Sequence, residues 1–99
     1  MENYTVIFQG IFNEKGTESA EFVEYVRRQD INREAFGGII QNKYFIDENL
    51  GQNEMPSFVI IVTFPSKDSA IQAFTSIEYL SIIPLRDIAF KEVKILFTK

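Results

Sequence analysis

Tyr79 and Arg86 are the residues best spaced for chemistry. With Ile83 between them they recur at steps of four and three, which sets side chains on one stripe of a helix. A phenol and a guanidinium on one stripe can hold an anionic small molecule in a shared cleft. The same pair also fits a structural role, with Arg86 ion-paired to an acidic neighbour and Tyr79 packing its ring beneath a surface hydroxyl. Glu78 beside them is a general base if buried and an ordinary helix carboxylate if exposed. Gln9 interrupts a run of apolar strand residues, so its amide must find a partner in the protein or in a ligand, and Tyr44 offers a second hydroxyl. Both suit the lining of a cleft and a subunit contact equally. Asp30 and Glu34 form an i, i+4 carboxylate pair, for which a solvated helix face fits better than a metal site.

That last preference follows from what the chain lacks. Its 99 residues include no cysteine and no histidine. Thiolate nucleophiles, disulfides, cysteine metal sites and the side chain that most readily moves protons near neutral pH are therefore all missing. The expectation is a protein that needs neither metal nor cofactor. A formal charge of −4 repels phosphate backbones and anionic membrane surfaces, which disfavours nucleic acid as a partner. The start, Met1-Glu2-Asn3, has no basic leader character, and the longest apolar stretch, Phe58 to Val62, is far short of a membrane span. No membrane association and a cytoplasmic location are expected.

The elements that must position these residues are legible from pattern. Residues 4–12 are β-branched and aromatic and end at Asn13-Glu14-Lys15-Gly16, which predicts a first strand. From Thr17 as N-cap, Ala20, Phe22, Val23, Val26 and Ile31 recur at helical steps, and predict a helix to about Ala35 that the Gly37-Gly38 pair terminates. A second strand over 39–46 leads into the turn-rich loop Asp47 to Pro56, and Ser57 to Phe64 is the strongest strand signal of all. Ser66 then caps a helix carrying Ala70, Ile71, Ala73 and Phe74. Ile77, Leu80 and Ile88 extend its pattern past a break near Thr75-Ser76, with Pro84 inside. Glu92 to Thr98 alternates as a final strand.

The order β-α-β-β-α-β, in a single domain spanning 1–99, predicts an α+β ferredoxin-like fold: a four-stranded antiparallel sheet of order 4-1-3-2 with both helices on one face. Strands one and three should then be central, and they are apolar on both sides. Val6 and Phe8 oppose Ile7 and Ile11, and Phe58, Ile60, Val62 and Phe64 oppose Val59 and Ile61. Two helices cover only one face, so the other demands a cover, most simply the sheet of a second copy in a homodimer.

At Phe64-Pro65-Ser66, followed by Ala70, Phe74, Ser76, Glu78-Tyr79 and Pro84-Leu85-Arg86, the chain resembles an uncharacterised bacterial family within the dimeric α+β-barrel superfamily. The first half adds a tyrosine-led strand, Glu24-Tyr25 on the helix and the Gly37-Gly38 turn. The resemblance implies a dimer with sheets packed face to face and a cleft between sheet and helices in each subunit. It does not imply a reaction, since the superfamily includes cofactor-independent monooxygenases, isomerases and haem-handling enzymes. The family commonly has histidine before the paired glycines; here Phe36 stands there, so no role resting on that histidine carries over. An RNA-recognition domain shares the element order but needs aromatics where Val59 and Ile61 stand. The loop of acylphosphatases needs an arginine near Gln9-Gly10-Ile11, where Asn13 and Glu14 stand instead. The functional expectation is a small-molecule binder or cofactor-independent enzyme using Tyr79, Arg86, Gln9, Tyr44 and Glu78, with an anionic or aromatic ligand. The alternative is a non-catalytic dimeric interaction module.

Overall fold

The computed structural model describes residues 3–14 and 16–99. The Met1-Glu2 start and Lys15 of the first turn lie outside the described residues. Strand β1 (Tyr4–Phe12) is followed by a single 3-10 turn (Gly16–Glu18), helix α1 (Ala20–Ala35), strands β2 (Ile39–Phe45) and β3 (Phe58–Phe64), helices α2 (Lys67–Thr75) and α3 (Ile77–Ala89), and strand β4 (Phe90–Phe97). The sheet is antiparallel with order β2-β3-β1-β4, as the topology argument requires. No helix among the described residues is long and apolar enough to cross a membrane.

Strand alternation sorts the sheet into two unlike faces. Val6, Phe8, Phe58, Val62 and Phe64 point to the helices and are buried. Their neighbours in register on the other side, Ile7 opposite Ile61 and Gln9 opposite Val59, point away from every helix. Ile39, Tyr44 and Leu96 extend that open face outward and are exposed by 61%, 53% and 41%. All three helices lie on the same side, so half of the sheet's apolar surface has no cover within the chain.

Several local expectations change. The N-cap of α1 is Ser19, whose Oγ accepts from the Phe22 N–H at 3.0 Å; Thr17 is spent in the 3-10 turn before it. The inner face of α1 is only in part the apolar stripe predicted, for Phe22 and Val26 do pack on the core. Val23 and Ile31 are more than half exposed, and the buried positions are Tyr25, Asn32 and Arg33. Hydrophobicity alone misassigned the face because buried polar groups here are all partnered. Asn32 Nδ2 donates to the Ala73 carbonyl at 2.8 Å, and Arg33 Nη1 donates to Asp30 at 2.6 Å.

The extended second helix is two helices. Ser76, in β conformation, ends α2 and begins α3, and its Oγ accepts from the Tyr79 N–H at 3.1 Å. Ile77, Leu80 and Ile88 consequently face outward, and Tyr79, Ile82 and Ala89 face in. Strand β4 starts at Phe90, directly after α3 and two residues before the expected Glu92.

The Gly37-Gly38 pair works as expected. Gly37 adopts φ +82° and its N–H bonds the Glu34 carbonyl at 3.0 Å, closing the last turn of α1. Gly38 is needed for space: a Cβ there would lie 2.5 Å from Arg33 Cγ and 2.7 Å from the Phe64 ring. Gly38→Ala should therefore destabilise the domain by roughly 1–3 kcal/mol, read as a lower urea midpoint with an unchanged slope.

Candidate functional site

The sheet and α1 diverge toward the β2 edge and leave a cleft of about 130 Å³ between them. Its floor is aromatic: Phe8 and Phe12 from β1, Phe58 from β3 and Phe90 from β4. Phe22, Tyr25 and Val26 of α1 form the roof, and Ile40, Lys43 and Phe45 of β2 with Asp30 of α1 form the mouth. The cleft exists because β2 is the strand farthest from β4 in the sheet and no helix lies over Lys43 and Phe45, which are exposed. A β-bulge between Ile40 and Asn42 sets the parity that turns Lys43 and Phe45 to the helix side and Tyr44 to the open side.

Behind the roof lies a buried polar chain. The hydroxyls of Tyr25 and Tyr79, each residue 2% exposed, stand 3.1 Å apart, and Arg86 Nη1 donates to the Tyr79 oxygen at 3.4 Å. Arg86 Nε donates in turn to Asp87 at 3.2 Å. Burial, with Tyr79 adding to it, pushes the Tyr25 pKa well above the ordinary phenol range. Burial opposes the charge of Arg86, but its bonds to Tyr79 and Asp87 outweigh that and hold its pKa above the usual value. The phenol at the cleft is thus neutral at physiological pH.

The hydrogen count of this chain is informative. The Tyr79 oxygen accepts from Arg86, and the contact between the two phenols uses only one of their two hydroxyl hydrogens. The other has no acceptor among the described residues, although both rings are buried. If Tyr79 donates to Tyr25, the spare hydrogen belongs to the residue that lines the cleft.

The residues picked from sequence fall in three places. Tyr79 and Arg86 do meet, on α3, and reach the cleft only through Tyr25; the Tyr79 hydroxyl is buried and not at the surface. Glu78 is exposed and borders a separate groove of about 460 Å³ with Arg27, Arg28 and Ile31, larger than the aromatic cleft but more polar in its lining. Gln9 and Tyr44 lie on the open face of the sheet, Gln9 beside Lys94 and Glu92. Asp30 and Glu34 hold no shared site; both carboxylates approach the Arg33 guanidinium, at 2.6 Å and 3.7 Å. Among the described residues no group of three or more acidic side chains could hold a metal ion. Phe36 packs on the cluster around Val6 and Phe64.

Tyr25 stands in the sequence only as part of the Glu24-Tyr25 pair that carries the resemblance, with no site role, and Lys43 has none either. For Tyr25 the available signal was its spacing to Phe22 and Asn32, which places it on the inner face once that face is known to tolerate polar groups. For Lys43 no signal existed, because the bulge reverses its parity.

The layered sheet with helices on one side defines a ferredoxin-like α+β domain. Comparison with solved structures gives the same ferredoxin-like α+β fold. A protein of unknown function from Rhodopseudomonas palustris matches with a TM-score of 0.79 at 17% identity, over 98% of this chain and 81% of its own. The cofactor-independent oxygenase SnoaB from Streptomyces nogalater matches at 0.61 and 16%, over 100% and 95% of the two chains. A dimeric ferredoxin-like protein of unknown function from Thermobifida fusca matches at 0.55 and 11%, over 95% and 87%. No family model and no curated protein matches the chain.

The raised pKa of Tyr25 makes a pH dependence with a definite sign. An acid whose pKa is higher folded than unfolded stabilises the fold fully below its unfolded value, about 10, and less and less as pH rises above it. Urea unfolding should show stability falling above about pH 10 more steeply in the wild type than in Tyr25→Phe.

Proposed function

We propose that this chain is a homodimeric small-molecule-binding protein whose ligand site is the aromatic cleft between the sheet and α1. The observation that carries the reading is the aromatic cleft itself, with Tyr25 in its lining; where Tyr79 donates to Tyr25, the Tyr25 hydroxyl keeps a hydrogen that a ligand oxygen or nitrogen can accept. Tyr79 and Arg86 act behind it as positioning residues, fixing the phenol and its polarity. The cleft is of the size that encloses one aromatic ring, with its open side at β2 leaving room for a fused ring or substituents.

The structural likeness to a cofactor-independent oxygenase supports an enzymatic extension of the same site. Tyr25 is neutral, so the chemistry it can assist is the polarisation of a carbonyl or enol oxygen on the bound molecule. Asp30, the one carboxylate in the lining, is engaged by Arg33.

The dimer rests on the open face. Ile7, Ile61 and Val59 form its centre, with Ile39 and Leu96 toward the edges. Apolar area of this kind is stabilised by about 25 cal/mol per Å² when removed from water, and the strand pattern leaves a second copy's identical face as the self-complementary cover. The dimeric state of the Thermobifida fusca protein, which shares the fold, supports this. Gln9 and Tyr44 then become contacts between subunits, with their polar groups satisfied across the interface.

Cleft and interface lie on opposite sides of β1 and β3, so they can be tested apart. Sedimentation should give a dimer at micromolar concentration, and Ile61→Asp should give a monomer; a wild-type monomer would defeat the interface. The fluorescence of 2-naphthol should report binding to the wild type and at least about tenfold weaker binding to Val26→Trp, whose indole fills the cleft. Equal binding by both chains would remove the cleft as the site.

A further inference from the structure

Lys43 is a cation at the mouth of the aromatic cleft with nothing to pair with. It stands opposite Ile60 in the β2–β3 register, so its stem runs along the helix side of the sheet and into the cleft's lining. Among the described residues its ammonium makes no ion pair or hydrogen bond. The lining's one carboxylate, Asp30, is drawn the other way by Arg33, whose Nη1 lies 2.6 Å from it. Lys91 and Lys94 have acidic partners, whereas Lys43, like Lys67 and Lys99, has none among the described residues; what sets Lys43 apart is its place in the lining of an apolar cleft.

We infer that the cleft takes aromatic anions, with the ring among Phe8, Phe58 and Phe90 and a carboxylate or similar oxyanion at the Lys43 ammonium. The inference rests on the small-molecule reading above and adds the charge of the ligand to it. Ring and charge are read by different elements: β1, β3 and β4 supply the apolar floor, and β2 supplies the cation. Lysine suits this position because a point charge on a flexible stem detects charge without fixing the geometry of the group that bears it. The negative field of the whole chain repels anions generally, so the selectivity falls to this one residue.

The experiment compares 2-naphthoate with 2-naphthamide, matched in shape and differing in charge, by fluorescence or calorimetric titration. The wild type should prefer naphthoate by about twofold to fivefold, the range open to a pair that stays largely in water. The preference should shrink as salt rises from about 0.05 to about 0.5 M. Lys43→Met should bring the ratio of naphthoate to naphthamide affinity to about one with the melting temperature in place, and Lys43→Glu should reverse the preference. Val26→Trp should bind neither probe, and full binding there would place the probes outside the cleft and overturn the inference. Equal affinity of the wild type for both probes, or a preference that survives in Lys43→Met, overturns the role of Lys43 and leaves the cleft as a neutral site. Failure of either probe to bind the wild type overturns the cleft reading and this inference together.

Discussion

Phe90 is the contact on which the arrangement depends. Its ring lies 5.6–5.7 Å from the rings of Phe12, Phe22, Tyr25 and Phe58, so one side chain touches β1, β3 and the first two turns of α1. It is also the residue at which α3 ends and β4 begins, in extended conformation and with no connecting loop. Edge-on and tilted ring contacts are each worth about 0.5–1.5 kcal/mol beyond the area they bury. Because they converge on a junction, they fix the direction of β4 and the distance of α1 from the sheet together. The cleft is the space left on the β2 side of that cluster.

The opposite end of the helix layer is held by polar bonds. Asn32 donates to the Ala73 carbonyl at the end of α2 and accepts from the Ser76 hydroxyl at the start of α3. Arg33 is clamped by Asp30, and its Nε also donates to the Gly38 carbonyl. A helix anchored by rings at one end and by saturated polar groups at the other keeps a defined tilt over the sheet, because directional bonds resist the sliding that an all-apolar contact permits. That tilt opens the cleft toward β2 and brings Tyr25 under Tyr79.

The sheet divides labour by its two faces. On the helix side the central strands hold the aromatic floor of the cleft; on the other side the same strands present isoleucine and valine with no cover within the chain. Strand alternation lets one stretch of backbone carry both roles without mixing them. An alteration on the open face therefore reaches the cleft only through the backbone of β1 and β3.

Sequence alone determined the element order, the central position of β1 and β3, the termination of α1 at Gly37-Gly38 and the apolar character of both sheet faces, since each depends on local periodicity or on a glycine's conformational freedom. It also brought Tyr79 and Arg86 onto one face of a helix, where they do meet. What only the tertiary structure decided was which face of α1 turns inward, because Asn32 and Arg33 are buried by partners that lie 41 and five residues away along the chain. The same holds for Gln9 and Tyr44, sent to the open face by strand parity and register, and for Lys43, turned into the cleft by a bulge that no pattern of side chains announces. Periodicity records which residues avoid water, whereas a site is made by groups that find one another across the fold.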